Sequence, residues 1–233
     1  TATAGAPTFQ AGGVDGEAGA NDYELTLNFS GATSVGPTFT NLRKLTTGGT
    51  GTTDIVGSIT LTGTSVMTFN DAVTTSTGAA VLTATDINFA STVAPTEALT
   101  LTATGTATLS STLTSSNDAF TSTAGTTVLG GSVNTGTAAQ TYTGSIVRLS
   151  ADITMTSSHA TGVTLGAVDG TGDGTEGLTV TGKAVIGAGG VGTTAGKRLQ
   201  FLTVSDTTSL NASVTTAEHQ TYTGAVTLFA ATS

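Results

Sequence analysis

Gln140-Thr-Tyr-Thr-Gly-Ser-Ile-Val-Arg-Leu149 returns eighty residues later as Gln220-Thr-Tyr-Thr-Gly-Ala-Val-Thr-Leu228. The unit is a short Thr-rich strand, a Gly break and a second apolar strand. Weaker versions start at Leu99, Ala119, Thr161, Leu178 and Leu199. The starts follow one another at about 20 residues, with one shorter step from Thr161 to Leu178. A period of this size marks a chain built from stacked supersecondary units.

Inside each unit the apolar residues alternate with hydroxyls. Leu99-Thr-Leu-Thr-Ala-Thr-Gly-Thr-Ala-Thr-Leu109 is the purest case, and its period of two places Thr100, Thr102 and Thr104 on one face. Leu25, Leu27 and Phe29 alternate in the same way. No segment carries an apolar stripe at helical spacing over three turns. Two or three strands of four or five residues fit each unit, which is the arithmetic of a coil and not of a sandwich with its uneven loops. The expectation is an all-β chain, a parallel β-helix (solenoid) with coils of roughly 20 residues, stacked about 4.8 Å apart. Inward Val, Leu, Ile and Phe would form apolar ladders, and outward Thr and Ser hydroxyl ladders.

Residues 1–23 differ. Gly12-Gly-Val-Asp-Gly-Glu-Ala-Gly-Ala-Asn-Asp22 is Gly-rich and acidic without strand periodicity, and reads as an N-terminal arm, either loop-like or ordered on docking to a neighbour or a metal. The solenoid is expected over 24–233. Its coil boundaries are irregular up to about residue 98 and regular afterwards.

Composition narrows the function. Charged residues make up 9% of the chain, threonine about a quarter, and there is no Cys and no Trp. A net charge of −9 with six scattered basic residues offers no track for a phosphate backbone, which argues against nucleic acid. No apolar run approaches the ~20 residues of a membrane span, so no membrane insertion is expected. Disulfide and thiolate chemistry are excluded. The chain starts without Met, basic segment or apolar leader. The expectation drawn is that a leader has been removed or that the chain belongs to something longer.

The two Gln-Thr-Tyr-Thr-Gly copies, each followed by apolar-x-Leu, resemble the repeats of large bacterial filamentous-haemagglutinin-type surface adhesins. That resemblance implies a right-handed β-helix, export to the cell surface or beyond, and a role in attachment, aggregation or matrix. The N-terminal half departs from the pattern, and the secretion domain of that family is not visible.

Candidate sites are few. Asp169-Gly-Thr-Gly-Asp-Gly-Thr-Glu-Gly177 alternates Gly with carboxylates, so Asp169, Asp173 and Glu176 are candidate Ca²⁺ ligands, against a plain Gly-rich turn with solvated carboxylates. The spacing is not that of an EF-hand. Asp15, Glu17, Asp22 and Glu24 form a weaker second set. His159 and His219 each precede a coil start with no triad partners nearby. Asp54, Asp71, Asp86, Asp118, Asp152 and Asp206 stand singly, giving a polysaccharide-acting enzyme little support. Thr100-x-Thr102, Thr141-x-Thr143, Thr179-x-Thr181 and Thr221-x-Thr223 recur at similar phase and resemble the ice-binding face of some antifreeze proteins, with the coils at Phe120 and Phe201 breaking the series.

The function expected is therefore a non-enzymatic, extracellular structural or adhesive building block of bacterial or archaeal origin. It would self-associate, with host or matrix glycan or protein as a further partner. Gln220, Thr221, Tyr222 and Thr223 are the expected assembly residues, because an uncapped coil offers unpaired backbone groups for strand addition. Ice binding is the alternative.

Overall fold

The computed structural model describes residues 23–36 and 42–229, together with the backbone of Thr8–Phe9, Val14–Asp15 and Phe39–Thr40. No helix occurs among them, and every strand pairing is parallel. The chain winds about 10 turns of a β-solenoid with coils of about 20 residues. At one strand spacing per turn this gives a rod roughly 50 Å long.

Each regular coil has three faces. Ala72–Thr75, Ala80–Ala84 and Asp86–Phe89 make up one coil and give faces A, B and C in that order. Face A is an 11-stranded parallel sheet from Thr8–Phe9 to Gln220–Tyr222. Faces B and C share longer strands that bend at a corner. Leu99–Leu109 pairs over 99–103 with Ala80–Ala84 and over 107–109 with Asp86–Phe89, with a register shift between Ala103 and Thr106. Thr104 and Gly105 form that corner. A Cβ on Gly105 would stand 2.5 Å from Asp86 Oδ1. The alternation read from the sequence as one strand face is thus two faces joined by a bend.

Inward side chains stack in register. On face B the rung runs Ile59, Leu82, Leu101, Ser122, Tyr142, Leu165, Ile186, Leu210, Leu228. On face A it runs Thr53, Val73, Val93, Leu113, Val133, Met155, Val180, Val204, Tyr222. Identical rungs let like shapes nest at the strand spacing, as with Phe69 and Phe89, whose rings stack with centroids 4.9 Å apart. The apolar core is one continuous column from Leu27 to Val204.

Several of the buried polar groups are bonded to one another. Asp71, at a corner between faces C and A, accepts from Thr47 Oγ1 at 2.8 Å and Thr53 Oγ1 at 2.8 Å. Ser122 and Thr127 share a buried hydroxyl–hydroxyl bond of 2.8 Å. In the N-terminal region Thr8–Phe9 pairs with Ser34 and Val35, and Val14–Asp15 with Phe39–Thr40. Apart from Tyr23, which begins the strand Tyr23–Phe29, the remaining residues of the expected arm, including Glu17 and Asp22, lie outside the described residues. Glu24 is paired with Arg43 at 2.5 Å and Lys44 at 3.8 Å.

Candidate functional site

The two copies of the repeat that organises the sequence occupy different corners. Gln140–Tyr142 lies on face B and leads into Ile146–Leu149 on face C. Gln220–Tyr222 lies on face A and leads into Val226–Leu228 on face B. What recurs is a strand–corner–strand module, and its Gly is fixed by crowding: a Cβ on Gly144 would collide with the Ala124 carbonyl, and one on Gly224 would stand 2.5 Å from the Asp206 carbonyl carbon.

Both modules carry the same internal bond. Tyr142 donates to Gln140 Oε1 at 3.2 Å, and Tyr222 donates to Gln220 Oε1 at 3.0 Å. In the interior copy Gln140 Nε2 donates to Val133 O at 3.0 Å and to Thr156 O, in the following coil, at 2.8 Å. Both residues are sealed there, and burial pushes the Tyr142 phenol far up. In the last described coil Gln220 Nε2 donates to Val214 O at 3.1 Å. Gln220 is exposed and Tyr222 is half-buried, with a smaller upward shift from the same cause.

The terminal coil also turns core positions toward solvent. Leu228 is 73% exposed, Phe229 54% and Val226 41%. Leu228 continues the inward face-B rung that is fully buried from Ile59 to Ile186, apart from the half-buried Leu210. These three apolar residues were not singled out in the sequence. Their signal was the second half of the repeat, whose apolar-x-Leu is core in the first copy.

The acidic knot gathers the chain's own cations. Asp173 makes a bidentate pair with Arg198, Nε to Oδ1 at 3.0 Å and Nη2 to Oδ2 at 2.8 Å. The guanidinium's hydrogen bond holds the Asp173 carboxyl below its ordinary value, although some desolvation opposes it. Burial disfavours ionised Glu176, but hydrogen bonds from Thr171, Thr175 and the Gly172 N–H outweigh it and lower its pKa. Lys197 Nζ donates to the Thr171 carbonyl. Asp169 is 1% exposed with neither oxygen hydrogen-bonded, and Arg148, whose Nε is also buried without a partner, is its in-register neighbour.

Among the described residues, Arg198 on Asp173 is the ion pair at this knot. Among the described residues no three Asp, Glu or His side chains come together as a metal-binding group. At Asp173 the counter-charge is the Arg198 guanidinium, which opposes a cation at that carboxylate.

The hydroxyl arrays are longer than the sequence suggested and lie on two faces. On face B, Thr100, Thr121, Thr141 and Thr164 form one outward rung, and Thr83, Thr102 and Thr123 another, with Thr123 Oγ1 and Thr143 Oγ1 bonded at 3.2 Å. On face A, Thr154, Thr179, Thr203 and Thr221 are in register, as are Thr156 and Thr181. The coils at Phe120 and Phe201 continue these series.

Other candidates serve structure. Asp54 accepts from Thr74 and Ser76, Asp86 from the Thr106 N–H, and Asp152 from the Gly177 N–H. His159 bonds Thr161 two residues on, and His219 stacks on Phe201 at 5.5 Å. In comparison with known proteins, no family model, curated protein or solved structure matches the chain.

Proposed function

We propose that this solenoid is a non-enzymatic structural or adhesive protein of the cell surface or extracellular space, which assembles end to end. It would serve as the subunit of a surface filament or a module of a large adhesin of the filamentous-haemagglutinin type. The observation that carries the reading is the coil at 220–229. Its inward positions include Tyr222, Val226 and Leu228, its strands are the last described of their sheets, and its Gln–Tyr pair repeats one that is sealed by a following coil in the interior.

The occupant that fits is a coil of the same kind, from a second copy or from further chain. It would extend both sheets in parallel and cover Tyr222, Val226 and Leu228. Burying apolar surface at ~25 cal/mol per Å² and pairing backbone edges both favour the contact. Replacing Leu228→Lys together with Phe229→Ser should leave the single chain folded and hold it monomeric in sedimentation velocity, while the parent grows with concentration. Equal self-association of both proteins would end this reading.

Ice binding is the second reading, favoured by the in-register Thr arrays. Its test is thermal hysteresis, which should appear in the parent and vanish on Thr181→Tyr or Thr102→Tyr. No hysteresis in the parent would remove it.

A further inference from the structure

A groove crosses the edge between faces A and B, lined by residues outside the acidic knot and reaching Asp206, which adjoins Gly224 of the last described coil. It arises from a step in loop length. The connection from face A to face B is five residues in one coil, 158–162, and the single residue Lys183 in the next. The retreat of the chain leaves a cavity of about 540 Å³. Its walls carry hydroxyls from successive coils, among them Thr156, Ser158 and Thr181, with His159, Lys183 and Asp206.

The polar groups there are only partly used. Lys183 Nζ donates to Ala160 O at 3.2 Å and makes no ion pair among the described residues. Asp206 Oδ1 accepts the Thr207 N–H at 2.6 Å. Ser158 Oγ donates to Gly136 O at 3.2 Å, which leaves its lone pairs for an incoming donor.

We propose that this groove binds a neutral oligosaccharide. The charges in it balance, one ammonium against one carboxylate, and the hydroxyls both donate and accept. That complements vicinal sugar hydroxyls, which also do both. The net charge of −9 weighs against a polyanion. An extended peptide would need an open strand edge, and the face-A strands here are paired on both sides. No Phe, Tyr or Trp lines the groove, so affinity per site is low and would be raised by repetition along an assembled polymer. The groove lines the side of the stack and not its end, so binding there is read separately from the end contact.

The test is calorimetric titration of the parent chain with cellohexaose, mannohexaose and, as the charged counterpart, hexagalacturonate. The expected result is binding of a neutral hexasaccharide, weakened about tenfold or more by both Lys183→Ala and Asp206→Ala. Filament formation in the same samples should be unchanged. Three results would overturn the proposal: no binding of either neutral hexasaccharide up to roughly 10 mM, binding unaffected by both variants, or tighter binding of hexagalacturonate.

Discussion

Tyr222 bonds Gln220 Oε1 at 3.0 Å at the exposed end of the stack, in the geometry that Tyr142 and Gln140 adopt at 3.2 Å in its interior. The same two side chains are therefore present once sealed and once open. The pair gives an internal measure of what a covering coil contributes.

Tyr142→Phe should be costly. It leaves Gln140 Oε1 buried without its donor, a loss of about 1–3 kcal/mol. Tyr222→Phe, where water can substitute, should cost well under half of that. Urea unfolding of the two variants in monomeric protein checks the difference, and equal losses would mean that the interior pair is not sealed as described.

The corner glycines give a second contrast. Gly144→Ala places a Cβ against the Ala124 carbonyl, whereas at Gly31 nothing stands within 4 Å of the added atom. Gly144→Ala should lower stability by several kcal/mol or prevent folding, because backbone on both sides must shift. Gly31→Ala should be within about 1 kcal/mol of the parent. Thermal melts decide it.

Acid should loosen the 169–177 knot first. Asp173 and Glu176 both have folded pKa values below their ordinary 3.8 and 4.5. A depressed carboxylate stabilises the fold above its unfolded pKa and loses that contribution as pH falls through the folded value. Amide protection factors at 170–177, taken relative to the intrinsic exchange rate at each pH, should therefore be flat above about pH 5 and fall below about pH 4, ahead of the core strands. A fall beginning near neutral pH would contradict the assignment.

Because Arg198 already pairs Asp173, chelator should leave the melting temperature unchanged and added Ca²⁺ should not raise it. A Ca²⁺-dependent increase abolished by Asp169→Asn would instead make Asp169, Asp173 and Glu176 calcium ligands. Differential scanning calorimetry with and without chelator gives the answer.

The repeat period and strand alternation made the solenoid legible, since burial of one face forces alternation and stacking forces a period. Which strand belongs to which face was not legible. Gln140-Thr-Tyr-Thr-Gly and Gln220-Thr-Tyr-Thr-Gly look like equivalent coil starts, but a three-faced coil can reuse one corner module at any of its corners. The continuous rung Thr100–Thr121–Thr141 was missed for the same reason: Phe120 was taken as a break, although it points inward and leaves Thr121 outward. The charge cluster escaped because its partners are about one coil apart. Arg148 and Asp169 adjoin only through the stack. Pairing residues at the coil spacing, and not by nearness in sequence, would have found them.

The central claim, that the 220–229 coil is an assembly surface, is met most directly by electron microscopy of the purified chain. The account predicts unbranched filaments with an axial repeat of about 50 Å, one subunit of stacked coils, reduced to single short rods by Leu228→Lys with Phe229→Ser. Discrete rods of the parent chain at every concentration examined would contradict it.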